Sequence, residues 1–391
     1  PAAAMPRPRA CAASAPQGAA AGPSQMADEY GNMNSDGETM VIDAFALDCG
    51  QTLRQAETRY KTWGTMNSRG DNVAVVCHAL TGNANLEAWW GQLLGPGKPL
   101  DTSRYFIFCA NVLGSCYGSS GPASTNPKTG TRYGSDFPPV TIRDMVRVQA
   151  EVLRRLGARE LAFVIGGSMG GMQAMEWGVS QYIPLRGIIS LCSGGRHHPW
   201  QIGISECQRH AIFSDPNWQG GKYSADAPPA KGLAVARMMA MLTYRSHPAY
   251  WTKFGRSVTT AQEAFEVEKY LRHQGDRFND RGFDAASYVT LTRAMDSHDV
   301  SRGRGTYEEV LQKMTIPTLI ASISSDVLYP VDDQLELAHY LPNAQHHLIK
   351  SDEGHDGFLL EHRNVGTLVR GFLAALDGGS AEALPRRASA L

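Results

Sequence analysis

Three side chains of this chain have the types and the order needed to activate an alcohol: Ser168, Asp326 and His355. Ser168 sits in Gly166-Gly167-Ser168-Met169-Gly170, with an apolar run at residues 161–165 before it and good helix formers at 171–177 after it. A serine hydroxyl is a poor nucleophile until a base takes its proton, and the base needs a carboxylate to hold its tautomer. A serine on a tight strand-to-helix turn stands clear of both elements, and the glycines around it let the turn close. His355, in Asp352-Glu353-Gly354-His355-Asp356, follows a strand-like segment ending at Ile349; Asp326 follows another at residues 319–323. Each therefore falls where a strand would deliver it to the same edge as the serine. Asp332 and Asp333 compete for the acid role, although their place ahead of residues 334–340 suits the first turn of a helix. A tetrahedral intermediate also needs two backbone N–H donors. Met169, directly after the serine, is one. Leu80, in His78-Ala79-Leu80-Thr81-Gly82 after the run at 73–76, is the candidate for the other. His78 reads as structural, and His298, His346 and His347 read as exposed.

The elements that must position these residues alternate along the chain. Residues 73–76, 105–109, 161–165, 187–191, 316–321 and 346–349 read as short strands. Residues 141–156 carry Met145, Val148 and Val152 at helical spacing after the Pro138-Pro139 break. Such alternation predicts a mostly parallel sheet with helices on both faces. From about 194 to 304 the chain is rich in long polar and aromatic residues and poor in β-branched runs, which predicts an inserted helical lid. The organisation expected is an α/β-hydrolase fold whose core, 41–195 and 306–377, is split by a lid at 196–305. A helical cap over the carboxyl ends of the strands would sit where such sheets bind ligands. Residues 1–40 read as a disordered extension and 378–391 as a loose tail. The first 25 residues contain Arg7 and Arg9 and no acid, so they suit either an organelle-targeting peptide or an extension ahead of Met26.

Composition excludes several classes. With 37 basic and 38 acidic residues the net charge is −1, which gives no footprint for nucleic acid or an acidic membrane surface. No apolar run approaches the roughly 20 residues of a membrane span. The seven cysteines are scattered, odd in number and free of Cys-x-x-Cys spacing, as expected for reduced thiols of a cytoplasmic protein. His197-His198 and His346-His347 are adjacent pairs, not spaced ligand sets, so neither a metal nor a bound cofactor is expected.

Taken together, the motifs resemble the homoserine O-acyltransferases of the α/β-hydrolase type, over residues 45–373. The matching blocks include residues 78–82, 95–102, 111–115, 117–122, 141–146, 166–173 and 354–356. The resemblance implies transfer of an acetyl group from acetyl-CoA, a co-substrate and not a cofactor, to the side-chain hydroxyl of L-homoserine in methionine biosynthesis. Ser168 would take the acyl group, the thiol would leave, and the acceptor hydroxyl would then attack, with His355 moving protons in both steps. It also implies that Arg237 and Tyr244 grip the acceptor. They are seven residues apart, a spacing that returns to one helix face, and a guanidinium can pair with both oxygens of a carboxylate. Asp356 would hold the ammonium group. A homodimer joined through the lid is implied as well.

One departure from the pattern is the compact run at residues 83–90 before Trp89-Trp90, where bacterial members carry an insertion. The short form resembles branches that acetylate serine or a deacetylcephalosporin C hydroxyl, and succinyl remains an alternative acyl group. Homoserine and serine differ by one methylene, which a pocket discriminates by only about 1–3 kcal/mol. Two further readings use the same residues: a serine esterase or thioesterase with water as acceptor, which leaves Arg237, Tyr244 and Asp356 without a task, and an inactive binding module, which leaves the triad without one.

Overall fold

The computed structural model describes residues 37–258 and 264–378. Its one sheet has eight strands, β1 (Glu38–Ala46), β2 (Thr52–Trp63), β3 (Val73–Cys77), β4 (Phe106–Ala110), β5 (Leu161–Gly167), β6 (Ile188–Leu191), β7 (Thr318–Ile323) and β8 (Ala344–Ile349). Their spatial order is β1-β2-β4-β3-β5-β6-β7-β8. β1 and β2 form an antiparallel hairpin, and β2 pairs antiparallel with β4. All other neighbours are parallel. β3, β5, β6 and β7 are buried along their whole length, as parallel strands covered on both faces must be.

The hairpin lies outside the strands expected from the sequence. On β2 the buried Leu53, Ala56, Thr58 and Tyr60 are separated by exposed or half-exposed Arg54, Gln55, Glu57 and Arg59, so no apolar run marks it. It also moves one boundary. β1 begins at Glu38, inside the segment read as a disordered extension, because Glu38, Thr39 and Met40 pair with Tyr60, Arg59 and Thr58. Residues 1–36 of that extension and residues 379–391 of the tail lie outside the described residues.

Twelve helices are described: α1 (Leu86–Trp90), α2 (Ile142–Leu156), α3 (Met169–Ser180), α4 (Pro199–Phe213), α5 (Ala230–Tyr244), α6 (His247–Phe254), α7 (Glu266–Asp280), α8 (Ala285–Asp296), α9 (Tyr307–Gln312), α10 (Val331–Tyr340), α11 (Gly357–Leu360) and α12 (His362–Leu376). α4 to α8 all lie between β6 and β7, where they interrupt the β–α alternation. α2 starts on a reciprocal cap in which the Thr141 side chain accepts the Asp144 N–H and the Asp144 carboxylate accepts the Thr141 N–H. Alternate residues of the strands face opposite layers. Val75, Val164 and Ile320 pack with Met175 and Trp177 on one side. Val76, Ile165 and Leu319 pack with Phe163 and Phe372 on the other. A third cluster joins core to insertion through Leu80, Met169, Leu233, Tyr288 and Tyr329. Among the described residues no helix is long and apolar enough to cross a membrane, and the six cysteines are free thiols.

Candidate active site

Ser168 joins β5 to α3 with φ 56° and ψ −127°, a region that residues with a Cβ rarely adopt. The turn is this tight because three backbones meet there. A Cβ on Gly166 would lie 2.3 Å from the Gly170 carbonyl, and one on Gly170 would lie 2.1 Å from the Cys77 carbonyl oxygen at the end of β3. Only glycine fits both places. The Ser168 carbonyl accepts from the N–H groups of Gly171 and Met172, which locks the turn onto the helix start. Met169 is the first residue of α3, where a helix leaves its N–H groups without internal partners.

Asp326 follows β7 and His355 follows β8, and because β5 to β8 run parallel both stand at the same edge of the sheet as the carboxyl end of β5. The Asp326 carboxylate is held from two sides. Its Oδ1 accepts the N–H groups of Leu328 and Tyr329 at 2.9 and 2.8 Å. Its Oδ2 lies 2.7 Å from His355 Nδ1. A carboxylate can only accept, so Nδ1 carries the ring proton and Nε2 presents its lone pair. That Nε2 is buried and bonds to no other protein group among the described residues. The imidazole is boxed by rings: Tyr329 stacked at 5.2 Å, Phe358 edge-on at 5.5 Å and Tyr244 at 6.0 Å between centroids. The competing acids point elsewhere. Asp333 accepts from Gln201 at 2.7 Å and faces His198 at 3.5 Å, and burial raises its carboxyl pKa. Asp332 is exposed on the first turn of α10.

Ser168 and His355 share one cleft of about 540 Å³, whose walls include Leu80, Trp89, Tyr244, Asp356 and Phe358. The N–H groups of Leu80 and Met169 donate to no other group among the described residues. The loop that carries Leu80 is braced by His78, which is fully buried. Its Nδ1 donates to Ala79 O at 2.8 Å and its Nε2 accepts from Val112 N–H at 3.0 Å. Burial lowers its pKa to about 4, so it stays neutral and structural, as read from the sequence. The other three histidines differ from their expected exposure. His298 is buried at the end of α8, where its carbonyl accepts the His197 N–H at 2.9 Å. His346 and His347 are half-buried on β8, with His346 Nε2 2.7 Å from Ser322 Oγ on β7.

Arg237 and Tyr244 both lie on α5. Tyr244 forms part of the cleft wall, while Arg237 is buried one layer behind it. The guanidinium stands over the Tyr244 ring at 5.5 Å and the Phe278 ring at 5.1 Å. Asp356 lines the cleft beside His355, with Oδ2 3.3 Å from Arg245 Nε. Arg245 also pairs with Glu353. Sequence reasoning missed Arg245 and Tyr329, whose ties to Glu353 and His197 span 108 and 132 residues and leave no local pattern.

Comparison with known proteins agrees with this geometry. Residues 72–362 match the family model of the alpha/beta hydrolase fold. The chain is 49% identical over 337 residues to a homoserine O-acetyltransferase of Chlorobium chlorochromatii (strain CaD3), covering 86% of this chain and 94% of that protein. Among solved structures, a homoserine O-acetyltransferase from Bacillus anthracis aligns with a TM-score of 0.80 at 27% identity, over 86% of this chain and 96% of that one. Esterase E22 aligns with the same TM-score, 0.80, at 25% identity over 86% and 99%.

Proposed function

The chain belongs to the homoserine O-acetyltransferase family of the α/β-hydrolase fold, and from that premise we propose that it moves an acetyl group from acetyl-CoA to the side-chain hydroxyl of L-homoserine, a step in methionine biosynthesis. The observation that carries the chemistry is the Asp326–His355 bond at 2.7 Å, made by an imidazole that lines the same cleft as Ser168. In the first half-reaction Ser168 Oγ attacks the thioester carbonyl and His355 Nε2 takes its proton. The N–H groups of Leu80 and Met169 hold the oxyanion. The carbon–sulfur bond then breaks and the thiol leaves with the proton from His355. In the second half-reaction the same nitrogen takes the homoserine hydroxyl proton, the hydroxyl attacks the acyl-serine, and Ser168 recovers its proton as the ester leaves.

Arg237 and Tyr244 recognise the acceptor carboxylate, the arginine supplying its charge from behind the ring. Asp356, whose Oδ2 lies 3.3 Å from Arg245 Nε, holds the ammonium. The partners are thus small molecules, an acyl-CoA and an amino acid. A homodimer through the inserted helices is supported by exposed apolar side chains on α5 and α6, among them Val235, Leu242 and Trp251.

The reading is tested by thiol release from acetyl-CoA with and without homoserine, combined with the mass of the intact protein. Acylated Ser168 and release that accelerates with homoserine are expected. Release of equal rate without the amino acid would favour a thioesterase, and acylation by succinyl-CoA alone would replace the donor.

A further inference from the structure

Tyr329 grips the imidazole from the core side, yet its own anchor lies in the insertion. Its ring stacks on His355 with centroids 5.2 Å apart and planes 26° from parallel. Its backbone N–H donates at 2.8 Å to the same carboxylate that orients His355. At the far end its hydroxyl lies 3.0 Å from His197 Nε2. His197 Nδ1 is 3.2 Å from Asp296 Oδ1, and Asp296 Oδ2 pairs with Arg209 Nη1 at 2.7 Å. Because a carboxylate only accepts, His197 Nδ1 carries a proton toward Asp296, and in that tautomer its Nε2 accepts the Tyr329 O–H. Arg209 lies on α4, Asp296 ends α8 and His197 precedes α4, whereas Tyr329 follows β7 of the core.

We propose that Tyr329 is a positioning residue for the base, and that the His197–Asp296–Arg209 chain ties the placement of His355 to the placement of the inserted helices. The proposal rests on the reading of His355 as the base of the transfer reaction. A phenol ring flat against the imidazole does two things. It stops the ring from swinging away from Ser168, and it offers an electron-rich face to the imidazolium formed at each proton transfer. It can do so only while it cannot slide. The backbone bond to Asp326 fixes one end of the residue and the bond to His197 fixes the other. Removing the hydroxyl keeps the ring and its volume but frees that second end. Misplacement of a reacting group by about 1 Å slows reactions on the order of 10²-fold, so a partial release should slow turnover by about tenfold.

Substrate recognition uses other groups, Tyr244 and Asp356, so the loss should fall on kcat and leave KM alone. A stack with a merely structural role would lower the melting temperature and leave kcat intact. The experiment compares Tyr329→Phe, His197→Phe and the double variant for kcat, for KM of acetyl-CoA and homoserine, and for thermal melting. Each single variant is expected to lose about tenfold in kcat with both KM values within about twofold of wild type. The double variant is expected to lose no more than the worse single one, since both remove the same bond. Wild-type kcat in a folded Tyr329→Phe, losses that multiply in the double variant, or raised KM at unchanged kcat would each overturn the proposal. If His197→Phe does not fold, the kcat-against-KM split of Tyr329→Phe decides alone. His355→Gln, assayed in parallel, separates the two readings. Near-wild-type turnover there removes the base assignment itself, whereas an inactive His355→Gln beside an unimpaired Tyr329→Phe removes only the positioning role.

Discussion

Replacing Asp326 by asparagine tests the triad with little change of shape. The carboxylate has two tasks, accepting the Leu328 and Tyr329 N–H groups through Oδ1 and the His355 Nδ1–H through Oδ2. Asparagine can keep the first, because its amide oxygen also accepts. Its NH2 then faces His355 Nδ1, which can receive it only as a lone pair. The ring proton moves to Nε2, and the base can no longer take the proton of Ser168. The charge is lost as well. With Nδ1 and Oδ2 at 2.7 Å, the centres of imidazolium and carboxylate sit about 4 Å apart, worth roughly 4 kcal/mol at an effective dielectric near 20. That alone slows the reaction about 10³-fold, and the wrong tautomer brings the expected loss to about 10⁴-fold. Thiol release from acetyl-CoA in the presence of homoserine measures it, with thermal melting as the check on folding. Because the backbone bonds survive, the melting temperature should change by only a few degrees. A folded variant whose kcat stays within about tenfold of wild type would refute the argument.

Ser168→Gly should abolish acylation and yet stabilise the protein, since the backbone at φ 56° is strained for serine by about 1–3 kcal/mol and free for glycine. A melting temperature raised by about 2 °C is the expected outcome, and a lowered one contradicts the strain. Arg237→Ala should leave the first half-reaction intact while slowing the second by about 10²-fold or more. A stoichiometric burst of thiol without sustained turnover is then expected, and undiminished turnover with homoserine would remove Arg237 from the acceptor site. His78 and His298 are neutral in the folded protein, each lowered by burial to a pKa of about 4, against about 6.5 when unfolded. As pH falls the unfolded chain takes up the protons first. Stability is therefore complete above about pH 6.5 and declines toward pH 4, by about 1.4 kcal/mol per unit for each histidine. His298→Gln should flatten that slope in melting curves against pH, and an unchanged slope would show the burial penalty to be elsewhere.

The strands that carry the site were legible because β5 and β7 are short apolar runs and β8 closes on Leu348-Ile349, and each stops at residues of another kind. β5 ends in glycines before Ser168, β7 is followed by Ser324-Ser325-Asp326, and β8 ends shortly before Gly354-His355. The β1–β2 hairpin was not, since it has one face against the core and alternates with charged residues in a way that local pattern does not separate from loop. The choice between Asp326 and Asp333 was open in the sequence because both stand near the start of α10. In the structure Asp333 turns to Gln201 and His198 of the insertion, and of the two Asp326 meets His355. Arg237 and Tyr244 were visible through family resemblance alone. Their seven-residue spacing fits any buried helix face, and nothing local reveals that one stands behind the other. The chain from Tyr329 to Arg209 runs through links that span 132, 99 and 87 residues (296 − 209 for the last), through partners whose types are common in any helical segment.

A triad by itself does not choose between transfer and hydrolysis, and the near-equal structural likeness to an acetyltransferase and to esterase E22 makes the point. Once an acyl-serine exists, His355 can activate water as readily as an alcohol. The outcome depends on which hydroxyl stands at the carbonyl carbon for longer. An acceptor held by both its carboxylate and its ammonium group reaches effective concentrations of about 10⁵ M or more, well above that of liquid water, so its hydroxyl prevails while it is bound. On the proposed reading those two grips come from different parts of the chain. Tyr244 and Arg237 belong to α5 of the insertion, and Asp356 belongs to the loop after β8 that also carries His355. The acceptor therefore bridges insertion and core at the same place where Tyr329 and His197 already join them. On that reading specificity for transfer is a property of how the insertion seats on the sheet, whereas the residues that form the acyl-enzyme stand at the strand ends and the insertion acts on them only through the placement of His355.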